Sequence, residues 1–134
     1  MLEYIWDYGY LDQDTEQTYI RTMLKTCPSL VKHEQLFNAF IQLLSRSQQF
    51  IRKIEDVSSV SLRDVARFCR LYNWFHESIN VRSINQSLLS QNVARRAAFA
   101  ALFLCYYFRL PSIQLKYDYV DMLEQVYQNL FLSY

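Results

Sequence analysis

The sequence contains only 1 glycine and 2 prolines in 134 residues, and this scarcity limits the folds that it can adopt. Hairpins, sandwiches and dinucleotide-binding turns use glycine where the backbone needs a positive φ angle. A G-x-x-x-x-G-K-[ST] phosphate-binding loop is absent, because it would need more glycine than the chain has. The composition therefore predicts an all-α protein, a bundle of about five helices joined by polar loops.

An excess of charge of one sign is also missing, because 14 basic residues nearly balance 13 acidic residues and leave a net charge of +1. A nucleic-acid-binding domain is expected to carry a basic face, so we predict no nucleic-acid partner. The amino-terminus lacks the basic-then-apolar order of a signal peptide. These absences predict a cytoplasmic protein.

One apolar run raises the question of a membrane. Residues 97–108 (AAFAALFLCYYF) are 12 consecutive apolar residues, fewer than the roughly 18 that a membrane-spanning helix needs. Arginines at positions 95, 96 and 109 close the run at both ends. We therefore predict no transmembrane segment, and a helix buried at the centre of the domain.

Residues that could carry chemistry are few and scattered. His33 and His76 have no partner cluster at the spacing of a zinc site, which needs four ligands. The carboxylates of the last helix indicate a solvated face: Asp118, Asp121 and Glu124. The cysteines show no C-x-x-C pair, which predicts buried, reduced thiols, with a disulfide or a reactive thiol as the alternative: Cys27, Cys69 and Cys105. We predict no catalytic residue, no metal site and no cofactor for this chain alone, and nothing in its motifs favours an enzyme.

Apolar periodicity predicts one domain over residues 1–134, with an aromatic tail followed by five helices. The tail covers residues 1–11, and the helices cover residues 15–26, 32–54, 62–79, 92–110 and 115–132. Polar residues 55–60 predict a loop, and polar residues 81–91 predict a linker.

Local signals place the ends of these helices. Asp12 or Asp14 is the predicted N-cap of the first helix, and Asp14 with Gln17 has the spacing of a capping box. Pro28 is predicted to end the first helix and Pro111 to end the fourth. The apolar stripe of the second helix is predicted at Leu36, Phe37, Phe40, Ile41, Leu44, Ile51 and Ile54. Apolar residues around the third helix, Trp74 among them, predict that both of its sides are covered.

The start of the third helix is the most informative local feature. Ser61 is predicted to cap this helix and Asp64 lies at its third position, while Arg63 lies in the first turn. A helix amino-terminus favours anions, and an arginine there can reach a phosphate on a neighbouring subdomain. The alternative is an exposed arginine that only solvates the helix start.

These residues also carry a family resemblance. The segment 61–65 (SLRDV), with Arg67 and Trp74–Phe75, resembles the S-L-R-D-V-x-R…W-F segment of the mysterin family, which are giant AAA+ proteins with E3 ubiquitin ligase activity. Further stretches agree in the same order: residues 6–9 (WDYG), 19–23 (YIRTM), 47–52 (SQQFIR), 96–98 (RAA), 105–107 (CYY) and 109–111 (RLP). The resemblance is spread over most of the chain.

The resemblance implies a location and a role. In AAA+ proteins a helical lid follows the nucleotide-binding core, and many lids carry a sensor-2 arginine that contacts the γ-phosphate. Arg63 is the matching position here, with Ser61 as its helix cap. The resemblance thus implies a fragment of a larger chain, a neighbouring AAA+ core as partner, and ATP with Mg²⁺ bound by the parent protein.

The alternative from another class is a stand-alone interaction module. The chain has 11 tyrosines, 9 phenylalanines and 2 tryptophans, so some aromatic side chains are expected to face partners. Such a module would bind a partner helix or peptide in an apolar groove. A homodimer of the isolated fragment is a further expectation.

Overall fold

The computed structural model describes residues 13–55, 61–82 and 90–132, and within these ranges it contains helices and no strand. Its elements are α1 (Gln13–Leu24), α2 (Pro28–Val31), α3 (Glu34–Ile54), α4 (Leu62–Arg82), α5 (Ser90–Cys105), a 3-10 turn (Tyr107–Arg109) and α6 (Ile113–Leu132). The predicted all-α helical bundle is therefore confirmed. The predicted tail at residues 1–11, most of the loop at 55–60 and residues 83–89 of the predicted linker lie outside the described residues.

The first helix and its end differ from the prediction. α1 already includes Asp14 in its first turn, so Asp14 is not the N-cap, and Asp12 lies outside the described residues. Pro28 does not end α1, which stops at Leu24; it begins the short helix α2 instead. Proline is favoured at the first helical position because its φ angle is preset and its missing N–H would be unpaired there anyway.

α3 runs through the centre of the bundle and contacts α1, α2, α5 and α6. Its predicted apolar stripe is confirmed, because six of the seven residues are buried and Ile54 is half-buried. Burial of such a stripe supplies most of the stability of a helix in a small domain. The sequence predicted that the helix containing residues 97–108 lies at the centre of the domain. In the structure α3 takes most of that central position.

α5 contains the apolar run but does not follow the prediction to its end. The α-helix stops at Cys105, five residues before the predicted end, and passes through the 3-10 turn to Leu110, whose backbone is extended. Pro111 explains the extended residue, because proline disfavours the α conformation of the residue before it.

The apolar run is buried on one side only. Ala97, Ala101 and Leu102 are fully buried, whereas Leu104 is 42% exposed and Phe108 is 62% exposed. The alanines let α5 approach α4 closely, and these two helices share the most extensive contact of the bundle. The helix predicted to be buried is therefore buried along one side and exposed along the other.

α4 is longer than predicted and exposed along one side. It continues to Arg82, and α5 starts at Ser90, so the predicted linker is helical at both of its ends. Trp74 is 61% exposed, in contrast to the prediction that both sides of this helix are covered. Val65, Phe68 and Tyr72 form its buried side, which faces α5 and α1.

α6 lies against α3 through Tyr119 and Leu123, and its predicted acidic face is confirmed as exposed. The fully buried Tyr119 hydroxyl is 2.7 Å from the hydroxyl of Ser47 on α3. Two other buried phenols bond across elements in the same way. The Tyr72 hydroxyl lies 2.9 Å from the Ser29 hydroxyl, and Tyr106 donates to Gln48 at 3.2 Å.

Candidate functional site

The amino-terminus of α4 is held by a reciprocal cap. The backbone N–H of Arg63 donates to the Ser61 hydroxyl oxygen at 3.2 Å, and the backbone N–H of Ser61 donates to Asp64 Oδ2 at 2.9 Å. This arrangement is a variant of the capping box, in which the serine oxygen accepts from the second helical residue instead of the third. The return contact from Asp64 to the Ser61 N–H is the one that their spacing predicts.

Arg109 joins this helix start to two other elements. Its guanidinium lies 3.5 Å from Asp64 Oδ1 and 3.2 Å from Glu55 Oε1. The 3-10 turn, the start of α4 and the end of α3 are thus connected through one side chain. Because the three side chains are partly exposed, each ion pair adds modestly to stability, but together they fix the position of the α4 start.

Arg63 lies within this fixed frame with its side chain exposed. No residue in the described ranges forms an ion pair or hydrogen bond with its guanidinium, whereas Arg52 and Arg109 are paired. The positive end of the α4 dipole adds to its charge. Arg63 is therefore a permanent cation, held at a helix amino-terminus and available to an anion.

The structure extends this feature beyond the single arginine that the sequence indicated. Arg67 and Arg70 are also exposed, and their spacing from Arg63 by one and two turns places all three on one side of α4. Trp74 continues the same line. The i, i+4, i+7 spacing of the arginines is the sequence signal that could have found this basic face.

A buried polar network lies elsewhere, between α1, α3 and the residue that follows α5. Glu16 is only 1% exposed and pairs with Arg52 at 2.6 Å. Gln48 donates to the same carboxylate at 3.4 Å and accepts from the Tyr106 hydroxyl at 3.2 Å. Burial raises the pKa of Tyr106 well above its ordinary value, so this phenol stays protonated. The network gives the Glu16 carboxylate two partners inside the fold, whereas the buried Nε of Arg52 has no hydrogen-bond partner among the described residues.

Sequence reasoning missed this network. The predicted apolar stripe did not include Gln48, which is fully buried. The available signal was that Gln48 lies between Leu44 and Ile51 in register with the stripe. A polar residue in such a register needs a buried partner, although the spacing does not say that the partner is Glu16.

An apolar groove of about 280 Å³ lies between α5 and α6. It is lined by Phe99, Phe103, Val120, Leu123, Glu124 and Tyr127. At its base Phe99 makes edge-to-face contacts with Phe40 and Tyr127, with ring centroids 4.9 Å and 5.5 Å apart. These edge-to-face contacts fix the orientation of the Phe99 ring in the groove wall.

The histidines lie apart from both features. The His76 ring lies tilted against Tyr72 with ring centroids 5.8 Å apart, and burial together with Lys32 and His33 lowers the pKa of His76. In the part of the chain that the structure describes, no group of three histidines, cysteines or carboxylates is placed to hold a metal ion. No helix among the described residues has the length and apolarity to cross a membrane.

These observations define an all-α bundle with a fixed, basic helix start and a separate apolar groove. Comparison with known proteins supplies the family. The chain is 32% identical over 99 residues to the human E3 ubiquitin-protein ligase RNF213, which covers 71% of this chain. It is 29% identical over 140 residues to the zebrafish E3 ubiquitin-protein ligase rnf213-beta, which covers 99% of it, and 34% identical over 79 residues to mouse RNF213, which covers 58%.

The resemblance to the mysterin family is thereby confirmed, because RNF213 is mysterin. The chain is a relative of these ligases over the segment that they share. It spans only 2% to 3% of the length of these relatives. No protein-family model matches the chain, and no solved structure matches it.

Proposed function

We propose that this chain is a non-catalytic, lid-type helical module of a mysterin-like AAA+ ATPase and E3 ubiquitin ligase. It couples the nucleotide state of a neighbouring AAA+ core to adjacent modules. The observation that carries the proposal is the exposed guanidinium of Arg63, which lies at a capped helix start and has no partner among the described residues. ATP and Mg²⁺ belong to the neighbouring core, and the arginine of this chain reaches the phosphate from outside.

The frame around Arg63 gives the coupling a physical route. The capping box keeps Arg63 aligned with the axis of α4. Arg109 joins that helix start to the end of α3. The whole of α3 contacts four other helices. When a phosphate contact at Arg63 forms or is lost, α4 and the end of α3 shift together, because both ends of the connection are hydrogen-bonded.

The ligase activity in the names of the relatives belongs to proteins far longer than this segment. We assign that activity to the complete protein that contains this module, and we place that protein in the cytoplasm. The module's contribution is conformational, because the one buried carboxylate of its polar network is already bonded to Arg52 and Gln48.

Substitution of Arg63 tests the proposal. Arg63→Ala in the complete protein is expected to lower ATP hydrolysis or nucleotide affinity by about tenfold or more, since a buried charge-assisted contact to phosphate contributes on the order of 1.5–3 kcal/mol. Nucleotide binding is measured by titration with a fluorescent ATP analogue, and turnover by phosphate release. Circular dichroism and thermal melting establish that the variant is folded.

Arg70→Ala is the matched control, because Arg70 is an exposed arginine on the same side of α4 but two turns farther from the helix start. It is expected to leave nucleotide binding and turnover unchanged. Equal effects of the two substitutions would point to a general charge effect and count against a sensor-2 role. Unchanged turnover of Arg63→Ala in an ATP-competent protein would eliminate that role.

A second candidate function rests on the apolar groove between α5 and α6. In this reading the chain is an interaction module that takes the apolar face of a partner helix or peptide. Exposed Phe108, Ile113 and Tyr117, at and after the 3-10 turn, add apolar surface near the start of α6. Val120→Glu places a charge in the groove and is expected to abolish such binding, while Asp121→Asn on the exposed side of α6 leaves it intact.

Native mass spectrometry of the isolated chain distinguishes a second copy of the chain from a helical peptide as the molecule bound in this groove. A second copy gives a dimer that Val120→Glu converts to a monomer. A monomeric wild-type chain that binds no apolar helical peptide would remove the second candidate.

A further inference from the structure

Two cysteines that are far apart in sequence meet where the α1–α2 turn packs on α4. Cys27 lies in the turn and Cys69 lies in α4, 42 residues later. The Cys27 thiol lies 3.9 Å from the backbone carbonyl oxygen of Cys69, and the Cys69 thiol donates to the carbonyl of Met23 at 3.5 Å. The two thiol groups lie close enough for each to shift the pKa of the other. Both are free thiols in this structure.

The two thiols differ in acidity. The Cys27 thiol lowers the pKa of Cys69, and Thr26 and Arg70 act in the same direction against the effect of burial. The Cys69 thiol, together with burial, raises the pKa of Cys27. Cys69 is therefore the more acidic thiol of the pair, which suits attack by its sulfur and resolution by the sulfur of Cys27.

Access to the pair is through Cys69. A groove of about 370 Å³ opens between α1 and α4 and is lined by Met23, Thr26, Ala66, Cys69, Arg70 and Asn73. Cys69 is 6% exposed at this groove, whereas Cys27 is fully enclosed behind it. A small oxidant thus reaches Cys69 first, and Cys27 is protected from direct attack.

We propose that Cys27 and Cys69 form a redox site that a hydroperoxide oxidises to an intramolecular disulfide. The Cys69 thiol gives up its proton as its sulfur attacks the peroxide oxygen. The O–O bond breaks, the leaving alkoxide or hydroxide takes that proton to become alcohol or water, and Cys69 becomes a sulfenic acid. Cys27 sulfur then attacks the Cys69 sulfur, and the displaced hydroxide takes the Cys27 proton to form water. The two thiols lose two electrons in total and the peroxide gains two.

Cys105 is the internal reference for this chemistry. It is also a free, buried thiol, and burial raises its pKa to about 11. Its sulfur lies 3.9 Å from the backbone carbonyl oxygen of Asp64. It is therefore expected to remain reduced under conditions that oxidise the pair. The proposal does not depend on any nucleotide role of Arg63.

The test uses the full chain treated with hydrogen peroxide, followed by thiol blocking, denaturation and thiol counting. The expected result is a fall from three free thiols to one, and non-reducing peptide mapping should find Cys27 joined to Cys69 within one chain. Dithiothreitol should restore all three. The same treatment in concentrated urea should lose this selectivity, because unfolding separates the pair.

Single substitutions separate the roles of the sulfurs. Cys105→Ser is the matched control and should form the same disulfide at the same rate. Cys27→Ser should leave Cys69 as a sulfenic acid that dimedone traps, and Cys69→Ser should keep both remaining thiols. A treated wild-type chain that retains three thiols, or a disulfide that includes Cys105, would overturn the proposal. Circular dichroism establishes that each variant is folded. If a variant is unfolded, the thiol count and peptide map of the wild-type chain decide the proposal.

Discussion

Two groups of arginines in this molecule have opposite environments. Arg52 is bonded to Glu16, which is almost fully buried, and this pair joins α3 to α1. Arg63, Arg67 and Arg70 lie exposed along α4 without a charged partner in the described ranges. Arg52 has its energetic role inside the fold. The exposed arginines contribute little to folding, so the same residue type is used in two different ways according to its surroundings.

The largest effect is expected when a buried charge is created without such a partner. Ala101 is fully buried on α5, so Ala101→Asp should destabilise the fold by more than about 3 kcal/mol, since an unpaired buried carboxylate must be desolvated or neutralised. The chain should then fail to show a cooperative thermal transition. Leu104→Asp, on the exposed side of the same helix, is the matched control and should still melt cooperatively.

Breaking the existing pair should have the next largest effect. Glu16→Ala leaves Arg52 and Gln48 without their acceptor, so the free energy of unfolding should fall by about 3 kcal/mol. Urea unfolding of the variant and of Asp14→Ala measures the difference, because Asp14 is an exposed carboxylate in the same turn of α1. Equal stability of the two variants would show that the Glu16 pair is unimportant.

The helix cap should have a smaller effect and should separate stability from function. Ser61→Ala removes the hydroxyl that accepts from the Arg63 N–H, and should lower the free energy of unfolding by about 1 kcal/mol. Arg63→Ala should change it by less than about 0.5 kcal/mol, as is usual for an exposed side chain. If Arg63→Ala destabilises the chain more than Ser61→Ala, the guanidinium is structural after all.

The smallest effect should come from pH. Burial is the first cause of the lowered pKa of His76, with Lys32 and His33 adding to it, so the folded state binds the proton less readily than the unfolded state. The neutral side chain therefore contributes stability that is present above pH 6.5, its ordinary pKa, and is lost as the pH falls through the lower folded value. Thermal melts from pH 8 to pH 5 should show a decline that His76→Gln reduces.

Local patterns predicted most of the fold. The stripe that includes Leu36 and Phe40 predicted α3 correctly, because repeated apolar spacing reports which side of a helix is buried. Pro28 was misinterpreted because proline both ends one helix and begins the next, and only the path of the chain decides between the two. The apolar run on α5 predicted a helix but not its exposed side, since an unbroken run has no periodicity to reveal one.

The two polar features of the molecule differ in how far sequence could predict them. The cap formed by Ser61 and Asp64 involves neighbouring residues, and their spacing alone specified it. The pair between Glu16 and Arg52 joins residues 36 positions apart. Nothing in a single sequence states which distant charges meet, so this pair, and the meeting of Cys27 with Cys69, required the packed helices.

The three buried tyrosine hydroxyls fix how far each helix can slide along its neighbour. Tyr119 has its oxygen partner at Ser47 and Tyr72 has its partner at Ser29. An axial displacement of one turn, about 5.4 Å, would keep many apolar contacts but would separate these phenol hydroxyls from their hydrogen-bond partners. A helix–helix interface made only of apolar side chains would tolerate such a displacement. Each hydroxyl therefore favours one axial register of the helices, because its hydrogen bond cannot form in the adjacent registers.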